Sequence, residues 1–284
     1  MIYLPILAAL ALASGTILQK MILKRKKIDI KFYQTVEFLA IVLAMLPFIY
    51  FFWRLDSQAF QIKNLFIFAL VIIFSIAANL FTYYSMKWEK VSNIEPAKIL
   101  EPLFVIILAI FFSYLVDSNL FDRKLNVIIP ALIAGGALIF SHLERHHLHF
   151  NKYFISAILG SFFFALELVI SRLILNYYSP ITFYFLRCLT IFSLSFILFR
   201  PKIVNLDNKL KSHILFMGAL WVLYRIIVYY GYINLGVIFT TLITMLGPVF
   251  IYLFAYMFLK EKLKIKNLVA AVIIIASVLY AILI

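Results

Sequence analysis

The segment EPAKILEPLF, residues 95–104, places Glu95, Lys98 and Glu101 three residues apart and follows them at once with Pro102, all inside a long apolar stretch. Side chains three apart on a helix share a face, so acid, base and acid form a line. Such groups are costly in hydrocarbon unless they pair with one another or line a wet cavity. The line can therefore hold an ionic solute, exchange a proton, or cancel internally. A second set lies later in the chain: Glu167, Arg187 and Arg225, the last preceded by Trp221 and Tyr224. Trp221 and Tyr224 offer flat faces for an apolar body or for a cation over a ring.

The elements that carry these residues must cross a membrane. Of 284 residues 65% are hydrophobic and 13% charged, too apolar for a soluble domain of this length. A spanning helix needs roughly 20 apolar residues, and ten stretches qualify: 2–23, 32–53, 63–86, 91–116, 125–141, 152–175, 181–199, 212–234, 237–259 and 267–284. The fold class expected is an all-α integral membrane protein of ten transmembrane helices. The run LAALALASG has the small-residue spacing of a leader, but no basic residue precedes it and the apolar stretch continues to Leu23, so it reads as the first span. The single cysteine, Cys188, excludes an intrachain disulfide.

The net charge of +14 is arranged by loop, and anionic lipid accounts for it without nucleic acid. Loops after odd-numbered spans carry 18 Lys and Arg, from Lys20 to Lys266, while those after even-numbered spans carry five: Arg54, Lys63, Arg123, Lys124 and Arg172. The positive-inside rule then places the odd loops in the cytoplasm and both termini outside, in a multi-pass protein of the cell membrane.

Shifting the chain by 146 residues aligns 83–112 with 229–258 and matches eight of thirty positions, among them Tyr83 with Tyr229, Pro102 with Pro248 and Phe104 with Phe250. Five spans per half is an odd number, so the second half enters from the opposite side. That is the inverted-topology repeat of secondary transporters, whose binding sites lie at mid-membrane between the halves. The expected division is 1–142 for the first five-helix repeat, 143–151 for a linker and 152–284 for the second repeat.

At these residues the chain resembles a known family. The stretch TTLITMLGPVFIYLFAYMFLKEKLKIKNLVAAVIIIASVLYAIL, residues 240–283, looks like the last two helices of EamA-type members of the drug/metabolite transporter superfamily, and EPLFVIILAIFFSYL echoes it in the first half. The turn reads Leu259-Lys260-Glu261 where the motif has a central Gly, and Asp117-Ser118-Asn119 stands where the motif would recur. The resemblance implies a ten-helix carrier. It also implies cytoplasmic termini, the usual family arrangement, against the charge count.

Depth along the helices, at about 1.5 Å per residue, puts Lys98 roughly 10 Å, Glu101 about 15 Å, Arg225 about 19 Å, Arg187 about 21 Å and Glu167 about 22 Å from the odd-loop face. Helices 6 and 7 are sequence neighbours, so Glu167 and Arg187 read as a structural ion pair. Lys98, Glu101, Asn79, Trp221, Tyr224, Arg225 and Thr244 read as substrate-binding, because the repeat pairs Lys98 with Thr244, Glu101 with Gly247 and Asn79 with Arg225. Differences of that kind suit an asymmetric solute. Pro102 and Pro248 deprive the carbonyls of Lys98 and Thr244 of a donor and should kink their helices beside a cavity. Tyr83, Tyr84, Tyr229 and Tyr230 read as interfacial aromatic belts.

The function expected is secondary active transport of a small metabolite by alternating access, favouring an amino acid or other zwitterion, with Glu101 as coupling group and protons as candidate coupling ion. An organic anion or phosphate ester is the alternative solute. A membrane-embedded enzyme using Glu101 or Glu167 as acid–base, and an accessory membrane subunit, are the other classes. The cluster His142, His146, His147 and His149 reads as a solvated linker, so no metal is expected. No phosphate-binding loop or nucleophile set occurs, so neither a cofactor nor enzymatic activity is expected. The partners are solute and lipid, and the chain is expected to be a monomer or homodimer.

Overall fold

The computed structural model describes residues 3–25, 28–89, 97–98, 100–116, 125–142, 151–201, 206–250, 253 and 265–283. Ten α-helices are found among them: α1 Leu4–Leu23, α2 Ile30–Phe52, α3 Ile62–Trp88, α4 Leu100–Leu115, α5 Leu125–His142, α6 Lys152–Ser171, α7 Pro180–Phe199, α8 Asn208–Asn234, α9 Val237–Thr244 and α10 Ile265–Leu283. Seven are at least 18 residues long and apolar enough to cross a bilayer, while α4, α9 and the Leu125–Phe140 part of α5 are shorter apolar stretches. Glu95, His146, His147, His149, Asp117-Ser118-Asn119 and Leu259-Lys260-Glu261 lie outside the described residues, as does most of the linker at 143–151.

Local sequence sets the helix starts. Asp29, Asn151 and Ser179 cap α2, α6 and α7 with side-chain oxygens that accept backbone amides, the Asn151 oxygen taking those of Tyr153 and Phe154 at 3.0 and 2.8 Å. Pro180 follows Ser179 at the first helical position, where its missing amide is no loss. Gly236, at φ 87°, makes the turn between α8 and α9 in a conformation that side chains disfavour. The helix expected over 152–175 ends at Ser171, and a short 3-10 turn at Leu175–Tyr177 leads into α7.

The two halves are interleaved, not side by side. α3 packs on α6 and α1 on α8; α2 packs on α7 and α5 on α10; α4 packs on α9 and α6, and α9 also on α1. Renumbering each helix by five leaves this pattern unchanged, as an inverted repeat requires. Small residues permit the contacts, since hydrocarbon provides no hydrophobic drive between helices and close packing must replace it. A Cβ placed on Gly218 of α8 would lie 2.9 Å from the Ala40 carbonyl carbon of α2, and one on Gly160 of α6 would lie 3.2 Å from the Thr82 amide of α3. The outer surface carries Tyr50, Phe51, Ile62, Phe66, Ile197 and Val272, which suits lipid contact.

On the even-loop side the α2–α3 and α6–α7 connections pair as a short antiparallel bridge, Leu55 opposite Tyr178, with Asp56 N donating to Tyr177 O at 2.9 Å and Ser179 N to Arg54 O at 3.0 Å. On the odd-loop side their counterparts under the repeat, the α1–α2 and α7–α8 connections, carry an exposed ion pair among the described residues, Arg25 to Asp207 at 3.6 Å.

Candidate functional site

Between the halves lies a polar cavity with two lobes that share Leu12, Thr16, Lys98, Glu101 and Tyr224 in their walls. One lobe adds Asn79, Arg187, Trp221 and Arg225; the other adds Pro102, Thr244 and Pro248. The residues read from sequence as substrate-binding, carried on α3, α4, α8 and α9 and on the turn before α4, thus meet around one space. Glu101 sits in the first turn of α4. Neither Lys98 nor Glu101 has an ion-pair partner within 4 Å among the described residues; the Lys98 ammonium instead approaches the Met86 sulfur at 3.7 Å.

Arg225 is placed differently. Its Nη1 lies 3.4 Å from Glu167 Oε2, and its guanidinium stands 5.4 Å from the Phe164 ring centroid and 5.5 Å from that of Tyr224. Glu167, with 0% exposure, also lies 3.3 Å from Arg187 Nη2. Around this pair Arg187 Nε donates to Ser75 Oγ at 2.9 Å and Nη1 to the Tyr229 hydroxyl oxygen at 2.7 Å, and the Tyr229 hydroxyl donates to Glu167 Oε1 at 2.9 Å. One carboxylate thus holds two guanidiniums, joining α6, α7 and α8, with Ser75 drawing in α3. In a low-dielectric interior such a network is stable only when most of its members are satisfied.

Two expectations need correction. Tyr83 and Tyr229 do not form interfacial belts: both are buried, with the Tyr83 hydroxyl donating to Asn79 Oδ1 at 2.8 Å and Tyr229 inside the guanidinium network. Their hydroxyls find partners in the interior, so the headgroup region offers them nothing more. Lys20, counted with the loops, is buried in α1 and donates to the carbonyls of Met86 and Glu89 at the end of α3, which lack helical donors.

At the prolines, α9 ends at Thr244 and helix resumes at Leu246, with Met245 in a turn between them. The break follows the carbonyl that Pro248 cannot serve. Pro102 lies in the first turn of α4, and residue 99 is outside the description, so the geometry on its amino side is not described.

Sequence reasoning missed Glu37. It lies on α2 with 3% exposure, lines the cavity beside Gln19, Tyr83 and Trp221, and accepts a hydrogen bond from Gln19 Nε2 at 3.3 Å. The signal was present, since an acid eight residues into an apolar span obeys the same rule that singled out Glu101.

A ten-helix membrane bundle of two inverted repeats around a charged central cavity is an architecture of membrane transporters. The profile of the EamA-like transporter family matches residues 1–114 and 151–283, and the chain belongs to that family. It is a multi-pass membrane transporter of the drug/metabolite transporter superfamily. A protein of known structure shares the fold at a TM-score of 0.73 over 99% of this chain and 96% of its own, with 12% identity. No curated protein matches the chain in sequence.

Proposed function

We propose that the chain carries a small zwitterionic metabolite, an amino acid or a close relative, by alternating access between its interleaved halves. The observation that carries this reading is the pair Lys98 and Glu101, opposite charges facing one cavity without an ion-pair partner among the described residues. A base and an acid left free in hydrocarbon are costly, and a solute of both signs offsets that cost. Lys98 and Arg225 face the solute carboxylate, Asn79 and Thr244 supply neutral hydrogen bonds, and Trp221 and Tyr224 wall the apolar body. Glu101, at mid-depth, exchanges a proton as substrate enters and leaves, which ties uphill movement to a pH gradient.

The test is uptake of a panel of radiolabelled amino acids, amines, organic acids and phosphate esters into vesicles holding only this protein. Zwitterions should be taken up above protein-free vesicles, and transport confined to doubly anionic solutes sinks the proposal. One observation favours that second reading: Lys98, Arg187 and Arg225 all line the same lobe, and Glu101, if protonated, adds no negative charge to oppose them.

A further inference from the structure

The cavity wall holds a buried carboxyl, that of Glu37, which no basic side chain of the described residues meets. Glu37 Oε2 is a buried acceptor without a hydrogen-bond partner, Trp221 stands beside that carboxyl, and Arg225 is held by its ion pair to Glu167. All three residues line the same lobe. A buried carboxylate without a cation is among the costliest groups a protein can hold. Glu167 shows what the fold does when such a group is structural: it supplies two guanidiniums and a phenol. Glu37, nearly as buried, receives the Gln19 amide and has only neutral polar groups beside it, those of Tyr33, Tyr83 and Trp221, and no Lys, Arg or His lies within 4 Å of it among the described residues.

Glu37 is also well placed to take one end of a solute. It stands on α2, which packs on α3, α7 and α8, whereas Lys98 and Glu101 belong to the wall formed by α4, which packs on α5, α6 and α9. Charges carried on separate helices thus line one space. Beside the carboxyl stand the rings of Tyr83 and Trp221, and an ammonium near a carboxylate and aromatic faces gains from both.

We infer that Glu37 is the specificity-determining residue that receives the ammonium group of the transported solute, while the basic side of the cavity, Lys98 and Arg225, faces its carboxylate. This rests on the zwitterion reading and sharpens it. The ammonium is held on α2, and Glu101 is left to exchange protons.

The test uses purified full-length protein and three probes of one shape: phenylalanine, phenethylamine, which keeps only the cation, and 3-phenylpropionate, which keeps only the anion. Removing one charge-assisted hydrogen bond corresponds to roughly a ten- to hundredfold loss of affinity. Glu37→Gln should lose that much for phenylalanine and phenethylamine and keep its affinity for 3-phenylpropionate. Equal losses for all three probes, an unchanged phenethylamine affinity, or wild-type protein that binds no phenethylamine would each overturn the assignment. Should Glu37→Gln not fold, Glu37→Asp decides, because it keeps the charge but retracts it: a loss selective for the two amines supports the site, and none refutes it. The vesicle experiment fails separately. Phenethylamine binding that depends on Glu37, in a protein that moves no zwitterion, keeps the site and removes the transport reading.

Discussion

At the scale of the residue, three acids of the spanning helices, Glu37 and Glu167 buried and Glu101 partly so, have three different surroundings, and each predicts a different mutant. Glu167 is enclosed by Arg187, Arg225, Tyr229 and Ser171, so neutralising it leaves two guanidiniums facing each other in a low dielectric. Loss of one member of such a group costs about 3–5 kcal/mol. Glu167→Gln should therefore lower the melting temperature measured in detergent by several degrees or give little folded protein; an unchanged melting temperature would show that the network adds no stability. Glu101 has no such enclosure, and Glu101→Gln should leave folding intact. Its vesicles are expected to exchange internal for external solute yet fail to accumulate it against a gradient when a pH difference is imposed. Wild-type transport indifferent to that pH difference would remove the coupling role. Glu37 completes the set as an acid on α2 with no counter-ion within 4 Å among the described residues.

Elements meet at surfaces whose tolerance can be read from the close approaches. Gly218 and Gly15 both sit where α8 meets the first half, but a Cβ on Gly218 would strike the α2 backbone at 2.9 Å, whereas one on Gly15 would meet the Trp221 ring at an ordinary 3.5 Å. Gly218→Ala should destabilise the bundle by about 1–3 kcal/mol as overpacking does, and Gly15→Ala should be close to neutral; equal melting temperatures for the two would refute the packing argument. The bridge between the α2–α3 and α6–α7 connections supplies an element-scale test of the transport cycle. Leu55 and Tyr178 form its non-hydrogen-bonded pair, whose Cα atoms lie about 4.5 Å apart in such ladders, within disulfide range. Cysteines at 55 and 178, oxidised, are expected to arrest uptake, and reductant to restore it. Cys188 is buried and does not compete. Full uptake by the cross-linked protein would mean that this end of the bundle does not open.

For the whole molecule the open quantity is orientation, because the fold is compatible with either. Eighteen basic residues in the odd loops against five in the even ones favour cytoplasmic odd loops and external termini. Burial of Lys20 removes one of the eighteen without changing the sign. A tag at either terminus should be reached by an impermeant reagent on intact cells, and a label at Lys262 should not. Termini protected until the cells are opened would show that the insertion preferences of the family outweigh its loop charges here.

The sequence alone determined the number of spans, the repeat and the set Lys98, Glu101, Trp221, Tyr224 and Arg225, because each rests on a local quantity: apolar length against bilayer thickness, self-similarity at one offset, or a charge where hydrocarbon should be. The tertiary structure decided how those residues share their partners. Arg225 shares Glu167 with Arg187, Tyr83 and Tyr229 turn inward to hydrogen bonds, and Glu37 lines the same cavity as Lys98. These outcomes depend on α3 lying on α6 and α1 on α8, contacts between segments far apart in the chain. In a membrane every helix is apolar almost all round, so periodicity does not mark which face meets which neighbour. Small residues and hydrogen bonds choose the pairing, and they act only after the helices have met.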